Sequence, residues 1–278
     1  MPPKKKSGED FSLNSLLTNI KTGLTSKPNN LTYVPHEKQI EFHSSTAKTR
    51  QFLGGNRSGK SIAGVNESIW WVTGKHPYLE LPEPPIIGRI VTVDLKNGVN
   101  KIILPMLSQW IPKSELINGS WEDSWKAGIQ VLRLENGSEI EIMSNEQELD
   151  KFAGVPRHFI WCDEEPRHDI YKECMARLTD YNGRMWVTMT PVEGITWTYD
   201  ELWEKRNEPH VDVIGVNQWD NPHLSKEGMV TAAASYDEVE SDIRLRGKYV
   251  AISGLVFKGF DEDTHVLRAP VEESNVAV

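Results

Sequence analysis

The chain has 278 residues, 38% of them hydrophobic and ten of them tryptophan, which suffices for one large α/β domain with a small appendage. No apolar run reaches the length of a membrane span and no apolar segment follows the charged N-terminus, so a soluble, non-secreted protein with no membrane contact is expected. The net charge of −9 argues against a plain nucleic-acid coat protein; yet residues 1–60 carry ten Lys/Arg against four Asp/Glu while residues 61–278 carry 21 against 36, a basic front on an acidic body.

Residues 1–30 read as a flexible basic segment with one apolar patch, Phe11 to Ile20, of a kind that docks on partners; Lys4, Lys5 and Lys6 read equally well as a solubilising tail. His36 to Ser44 is a short predicted helix, and Arg50 to Leu53 an apolar strand running into a glycine-rich turn. Residues 60–73 have helical apolar spacing, ended by Gly74 and Pro77. A buried strand over 86–94 and a return helix over 97–110 follow. Residues 129–143 alternate around Asn136-Gly137, the pattern of a hairpin. Phe159 to Cys162 is a further strand ending in acids; a helix over 169–180 and a strand from Met185 to Met189 come next. Strands alternating with helices predict an α/β fold with a mainly parallel sheet and sites at the carboxyl ends of its strands. A small helical subdomain is expected over 220–248 and loop or edge-strand character after 252. Cys162 and Cys174 form no disulfide framework and no metal spacing, which suits a reducing compartment.

Three motifs fall at strand ends. Gly54-Gly55-Asn56-Arg57-Ser58-Gly59-Lys60-Ser61 matches G-x-x-x-x-G-K-[ST] in full, between a strand and a helix. Its glycines let backbone N–H groups turn toward phosphate oxygens, with the helix N-terminus behind them. Lys60 is expected on the β- and γ-phosphates of ATP and the Ser61 hydroxyl on Mg²⁺. The strand Phe159-Ile160-Trp161-Cys162 closes on Asp163-Glu164-Glu165. Asp163 is read as the Mg²⁺ holder, Glu164 as the acid that polarises the attacking water, and Glu165 as a bystander. Thr188-Met189-Thr190-Pro191 offers hydroxyls that would sense the γ-phosphate and pass the signal on. Gln39 is a candidate adenine reader, with Tyr33 or Phe42 stacking nearby; an exposed helix glutamine is the plain alternative. A positive charge on the developing γ-phosphate is expected from Arg57 in cis, or from Arg157, Arg177 or Arg184 in cis or in trans. Asp261-Glu262-Asp263 with His265, and the pair His36 and His43, are read as carrying no metal.

With these residues in place, the chain resembles the ATPase half of phage large terminase subunits, the motors that pump double-stranded DNA into procapsids. The loop GGNRSGKS, the strand end IWCDEEP, the run from Thr188 to Trp197, Asp220-Asn221-Pro222, and the runs Arg246 to Tyr249 and Ser253 to Phe257 carry the resemblance. It implies a P-loop NTPase of the ASCE, RecA-like kind, and divides the chain into the basic segment 1–30, an ATPase core over 31–215, a helical lid over 216–251 and a linker over 252–278. It implies Gln39 as adenine reader and Thr188 to Thr190 as coupling element. It also implies double-stranded DNA, a portal protein and a small terminase subunit as partners, and a homo-oligomeric ring, pentameric on the portal and monomeric in solution, in the host cytoplasm. Relatives carry a nuclease domain after the ATPase; no array of spaced acids follows Val256, and no nuclease activity is expected of this chain. Some relatives place an arginine just before a glycine upstream of the acidic strand, where this chain reads Phe152-Ala153-Gly154, leaving the trans-acting arginine open. The alternatives are a helicase-like ATPase, which normally needs a second RecA-like lobe; a P-loop kinase, in which Glu164 would waste ATP; and a slow nucleotide switch.

Overall fold

The computed structural model describes residues 29–251. The Phe11 to Ile20 patch, the linker after 251 and the Asp261 to Asp263 acids lie outside the described residues. Eight strands form one sheet in the order β3-β4-β5-β2-β6-β7-β1-β8. These are β1 (Thr49–Gly54), β2 (Ile87–Thr92), β3 (Trp125–Lys126), β4 (Val131–Arg133), β5 (Glu139–Ser144), β6 (Phe159–Asp163), β7 (Arg184–Met189) and β8 (Val211–Val216). From β5 to β8 every neighbouring pair is parallel, while β3-β4-β5 is an antiparallel edge. The β4-β5 hairpin turns at Asn136-Gly137, with Gly137 at φ 83°.

The α-helices longer than one turn are α1 (Glu37–Ser44), α2 (Lys60–Thr73), α3 (Leu104–Trp110), α4 (His168–Arg177), α5 (Lys226–Ala233) and α6 (Glu238–Arg244). The helix expected over 97–110 is in two parts. Leu95–Ile103 winds as a wide π-helix after Asp94 caps the Asn97 N–H, and α3 starts only at Leu104. A π-turn shifts the apolar face, so Val99 and Ile103 stay buried with Leu107 while Gly98 lies against Thr92.

Parallel strands covered on both faces need apolar residues at nearly every position. On β6, Phe159 and Trp161 enter the core under α2, whereas Ile160 and Cys162 enter the core beside Ile170, Tyr171 and Cys174 of α4. Helix α2 lies close to β6 because Gly64 faces Trp161: a Cβ at Gly64 would stand 2.3 Å from the indole. Both cysteines are buried and free. Phe42 is fully buried and stacks on Phe52 with ring centroids 4.9 Å apart, so it is core and faces no base. No helix among the described residues is long and apolar enough to cross a membrane.

Candidate nucleotide site

Strand β7 lies between β1 and β6, so the phosphate-loop strand and the acidic strand are separated by the strand that carries Thr188. All three run parallel, which brings Gly54, Asp163 and Met189 to one edge of the sheet. In register, Asp163 of β6 stands beside Thr188 of β7. The Thr188 hydroxyl donates to Asp163 Oδ1 at 3.0 Å and accepts from the Trp161 indole N–H at 2.8 Å. From the first turn of α2, Ser61 Oγ donates to the same Asp163 oxygen at 2.8 Å.

The loop between β1 and α2 is braced from every side. Gly55 N–H donates to Val216 O at 3.2 Å and Asn56 N–H to Arg244 O at 2.6 Å. The chain after α6 sits so close that a Cβ at Gly55 would meet Leu245 O at 2.1 Å. Among the described residues the N–H groups of Arg57, Gly59, Lys60 and Ser61 have no acceptor, as expected at the open end of a helix. Lys60 Nζ folds back to Gly55 O at 2.7 Å. Burial pushes the Lys60 ammonium below its usual pKa, against the pull of Glu164 and Asp163. Asn221 Nδ2 donates to Arg57 O at 2.7 Å, so the exposed Arg57 is fixed by its backbone at φ 59°.

Glu164 also holds a left-handed backbone, φ 69°, which is uncommon outside glycine and collects at functional sites. Its carboxylate accepts from the Thr190 N–H at 3.0 Å and lines a cavity of about 260 Å³ with Asn56, Val93, Glu165, Thr190, Val192 and Glu193. Burial raises its pKa to about 7, Lys60 opposing and Asp163 assisting. That is the proton affinity a general base uses at neutral pH. Burial likewise raises Asp163, against the bonds from Ser61 and Thr188.

Gln39 is 4% exposed and its amide is engaged at both ends, accepting from His36 N–H at 3.0 Å and donating to Gly59 O at 2.9 Å. It braces the phosphate loop and also lines an apolar cleft of about 420 Å³ with Tyr33, Val34, Ile62 and Asn221. His36 Nε2 lies 3.1 Å from Ser58 O, a second brace that periodicity alone did not reveal.

The arginine candidates divide. Arg157 precedes β6 and Arg184 opens β7, so both lie at the amino end of the sheet, about 16 Å of strand from the acids. Arg157 is 4% exposed and paired with Glu141; Arg177 ends α4 and pairs with Glu173 at 3.2 Å. Strand direction places these three at the edge of the sheet opposite the acids. Of the four candidates, only Arg57 stands on the face of the site.

The family model described as the T4likevirus-type N-terminal part of the terminase large subunit matches residues 51–264. The large terminase subunit of Salmonella phage P22 is 25% identical over 264 residues, covering 81% of this chain and 52% of that protein. The chain thus spans about half the length of that curated relative. Among solved structures, the large terminase ATPase domain of Thermus phage P74-26 superposes with a TM-score of 0.62 at 19% identity, covering 80% of this chain and 96% of that one. The large terminase of a thermophilic bacteriophage superposes with a TM-score of 0.65 at 16% identity, covering 84% of this chain and 58% of that one. The same large terminase in complex with ATP-γ-S gives 0.62. These likenesses establish a RecA-like fold. The family match takes in the phosphate loop, the acidic strand end and the β7 threonines, and the chain belongs to the terminase large subunit family, T4likevirus-type, as its N-terminal part.

Proposed function

We propose that this chain is the ATP-hydrolysing motor domain of a phage large terminase and drives double-stranded DNA into a procapsid. The observation that carries the reading is the Ser61–Asp163–Thr188 cluster, with Lys60 within electrostatic reach of both Asp163 and the left-handed Glu164. The free N–H groups of Arg57, Gly59, Lys60 and Ser61 take the phosphates, and Lys60 leaves Gly55 O to neutralise the β- and γ-phosphates. Ser61 and Asp163 suit Mg²⁺: both are hard oxygen donors, 2.8 Å apart, and no group of three or more His, Cys, Asp or Glu that would cage a metal occurs among the described residues. When bound, Mg²⁺ supplies charge neutralisation on the phosphate oxygens. Glu164 orients and deprotonates the attacking water, held by the Thr190 N–H. Arg57 supplies positive charge in cis.

Coupling is assigned to Thr188 and Thr190, with different tasks. Thr188, fully buried, holds Asp163; Thr190 touches both Glu164 and Asn56, its hydroxyl 3.4 Å from Asn56 Oδ1. The cleft at Tyr33, Val34 and Ile62 takes the base, with Gln39 at its edge. Residues 31–215 form the ATPase core and 216–251 a lid. The partners are DNA, a portal protein, a small terminase subunit and further copies in a ring, within the host cytoplasm. Steady-state hydrolysis tests the reading: linear double-stranded DNA raises the wild-type rate and Lys60→Ala abolishes it. A DNA-indifferent wild-type rate would remove the motor assignment while leaving the ATPase.

A further inference from the structure

Glu165 looked dispensable beside Glu164, yet its side chain is anchored. Its Oε2 accepts from Thr196 Oγ1 at 2.8 Å and Thr198 Oγ1 at 3.1 Å, and its backbone carbonyl accepts from Asn145 Nδ2 at 3.1 Å. Thr198, fully buried, also accepts from the Tyr249 hydroxyl at 2.9 Å. Tyr249 in turn accepts from Gln51 Nε2 at 2.6 Å. Gln51 is fully buried in β1, three residues before the phosphate loop begins at Gly54. Tyr249 packs its ring edge-on against Tyr199, centroids 5.2 Å apart.

The chain of bonds therefore runs Gln51–Tyr249–Thr198–Glu165 and meets the main chain on the far side of Glu164. On the near side, Asp163 is tied to Ser61 and Thr188. A non-glycine residue persists at φ 69° only where its surroundings over-determine it. Glu164 has its own N–H on Thr188 O at 2.8 Å and its carboxylate on the Thr190 N–H, and the backbone on either side is held in addition by its neighbours' side chains.

We propose that Glu165 and Tyr249 are positioning residues for the hydrolytic step: through Thr196 and Thr198 they lock Glu164 in its left-handed conformation toward the γ-phosphate. The Glu165 carboxylate is taken up by the two threonines and Tyr249 lies beyond Thr198. Both act through Glu164, so the inference rests on the ATPase reading above. Loosening the clamp lets Glu164 relax toward an ordinary backbone and misplaces the water, without disturbing the loop that binds phosphate.

The full chain carrying Glu165→Ala, Glu165→Gln or Tyr249→Phe tests this, with kcat and KM for ATP, ATP-γ-S affinity by calorimetry, and the thermal unfolding midpoint measured on each. A general base contributes ~10²–10⁴ in rate, and a misplaced one forfeits part of that. Glu165→Ala is expected to lower kcat about tenfold or more, with KM and ATP-γ-S affinity within about twofold. Glu165→Gln keeps an acceptor for both threonines and recovers most of the rate. Tyr249→Phe deletes one oxygen from a half-buried ring, preserves folding, and lowers kcat by a smaller factor. Full kcat in both Glu165→Ala and Tyr249→Phe overturns the proposal. So does a parallel loss of kcat and ATP-γ-S affinity that Gln does not rescue, since that is general unfolding of the site. If the wild type itself hydrolyses no ATP, the ATPase reading falls and the clamp with it; an active wild type matched by its variants sinks the clamp alone.

Discussion

At the scale of single residues, the site depends on a few side chains whose partners are set by strand register. Thr188 exchanges bonds with Asp163 and Trp161 in a fully buried position. Thr188→Val keeps the shape but strands the indole N–H and frees one Asp163 lone pair. The variant should lose ~1–3 kcal/mol of stability, the cost of an unsatisfied buried polar group, and should need more Mg²⁺ for half-maximal hydrolysis. Denaturant unfolding and a magnesium titration check the two parts; unchanged magnesium dependence would separate Thr188 from the proposed metal-holding role of Asp163. The phosphate loop and the Asp163–Glu164 pair were legible in the sequence because their chemistry is local: eight consecutive residues in one case, a strand and its end in the other. The arginines were not. Whether Arg157 and Arg184 face the nucleotide depends on strand direction, which no short window records, and Arg157 is spent on Glu141 from a different strand. Glu165 escaped for a similar reason, since its partners lie 31 and 33 residues away.

At the scale of elements, α1, β1 and α2 are joined by a buried polar cluster centred on Glu67. Its carboxylate pairs with Arg50 at 2.6 Å, His43 at 2.7 Å and His76 at 3.1 Å, all four side chains fully buried. Burial alone would raise the Glu67 pKa, but the Arg50 charge and the bonds from His43 and His76 outweigh it and hold the carboxyl well below its usual range. Burial lowers His43, so it is neutral in the fold, although the bond to Glu67 opposes this. Both shifts act in one direction. Below about pH 6.5 the unfolded chain takes up a proton at His43 that the folded chain resists; below about pH 4.5 it takes up another at Glu67. The contribution of this cluster is therefore full above pH 6.5 and declines as the pH falls, first through His43 and then through Glu67. Glu67→Gln should lower the urea midpoint at pH 7 by leaving Arg50 buried without its counter-charge, at a cost of ~3–5 kcal/mol, and its difference from the wild type should shrink from pH 8 to pH 4. A difference that does not change with pH would contradict the assignment.

The same scale governs how α2 meets β6. Gly64→Ala drives a methyl into the Trp161 indole, which is itself fully buried, and should cost ~1–3 kcal/mol by overpacking. Thermal unfolding reads it directly. The existence and order of most elements could be read from periodicity, and α2 matches its expected range of 60–73. The π-turn at Leu95–Ile103 could not, because period 3.6 hides a wider turn. The position of β7 between β1 and β6 is likewise non-local: parallel strands carry no hairpin to declare their neighbours.

For the whole molecule, the six parallel strands direct the phosphate loop, both acids and the β7 threonines to one edge, while the segment after α6 packs onto Gly55. The loop thereby contacts residues 244–247, next to the Tyr249 end of the Glu165 chain. The acidic body, with a charge of −9 overall, makes tight general DNA binding unfavourable, so the proposed DNA contacts are few and rest on phosphates. DNA stimulation should accordingly fade steeply between about 50 and 200 mM salt while the basal ATPase rate persists. A stimulation insensitive to salt would point away from phosphate contacts.

The most direct measurement is ATP binding and turnover by Glu164→Gln beside the wild type. The substitution keeps size and hydrogen bonding to Thr190 but removes the base, leaving Lys60, Ser61 and Asp163 intact. It should bind ATP within a few-fold of wild type and hydrolyse it about 10²-fold more slowly or worse. Turnover at the wild-type rate would mean that Glu164 does not activate the water, and the hydrolytic site would have to be sought elsewhere in the fold.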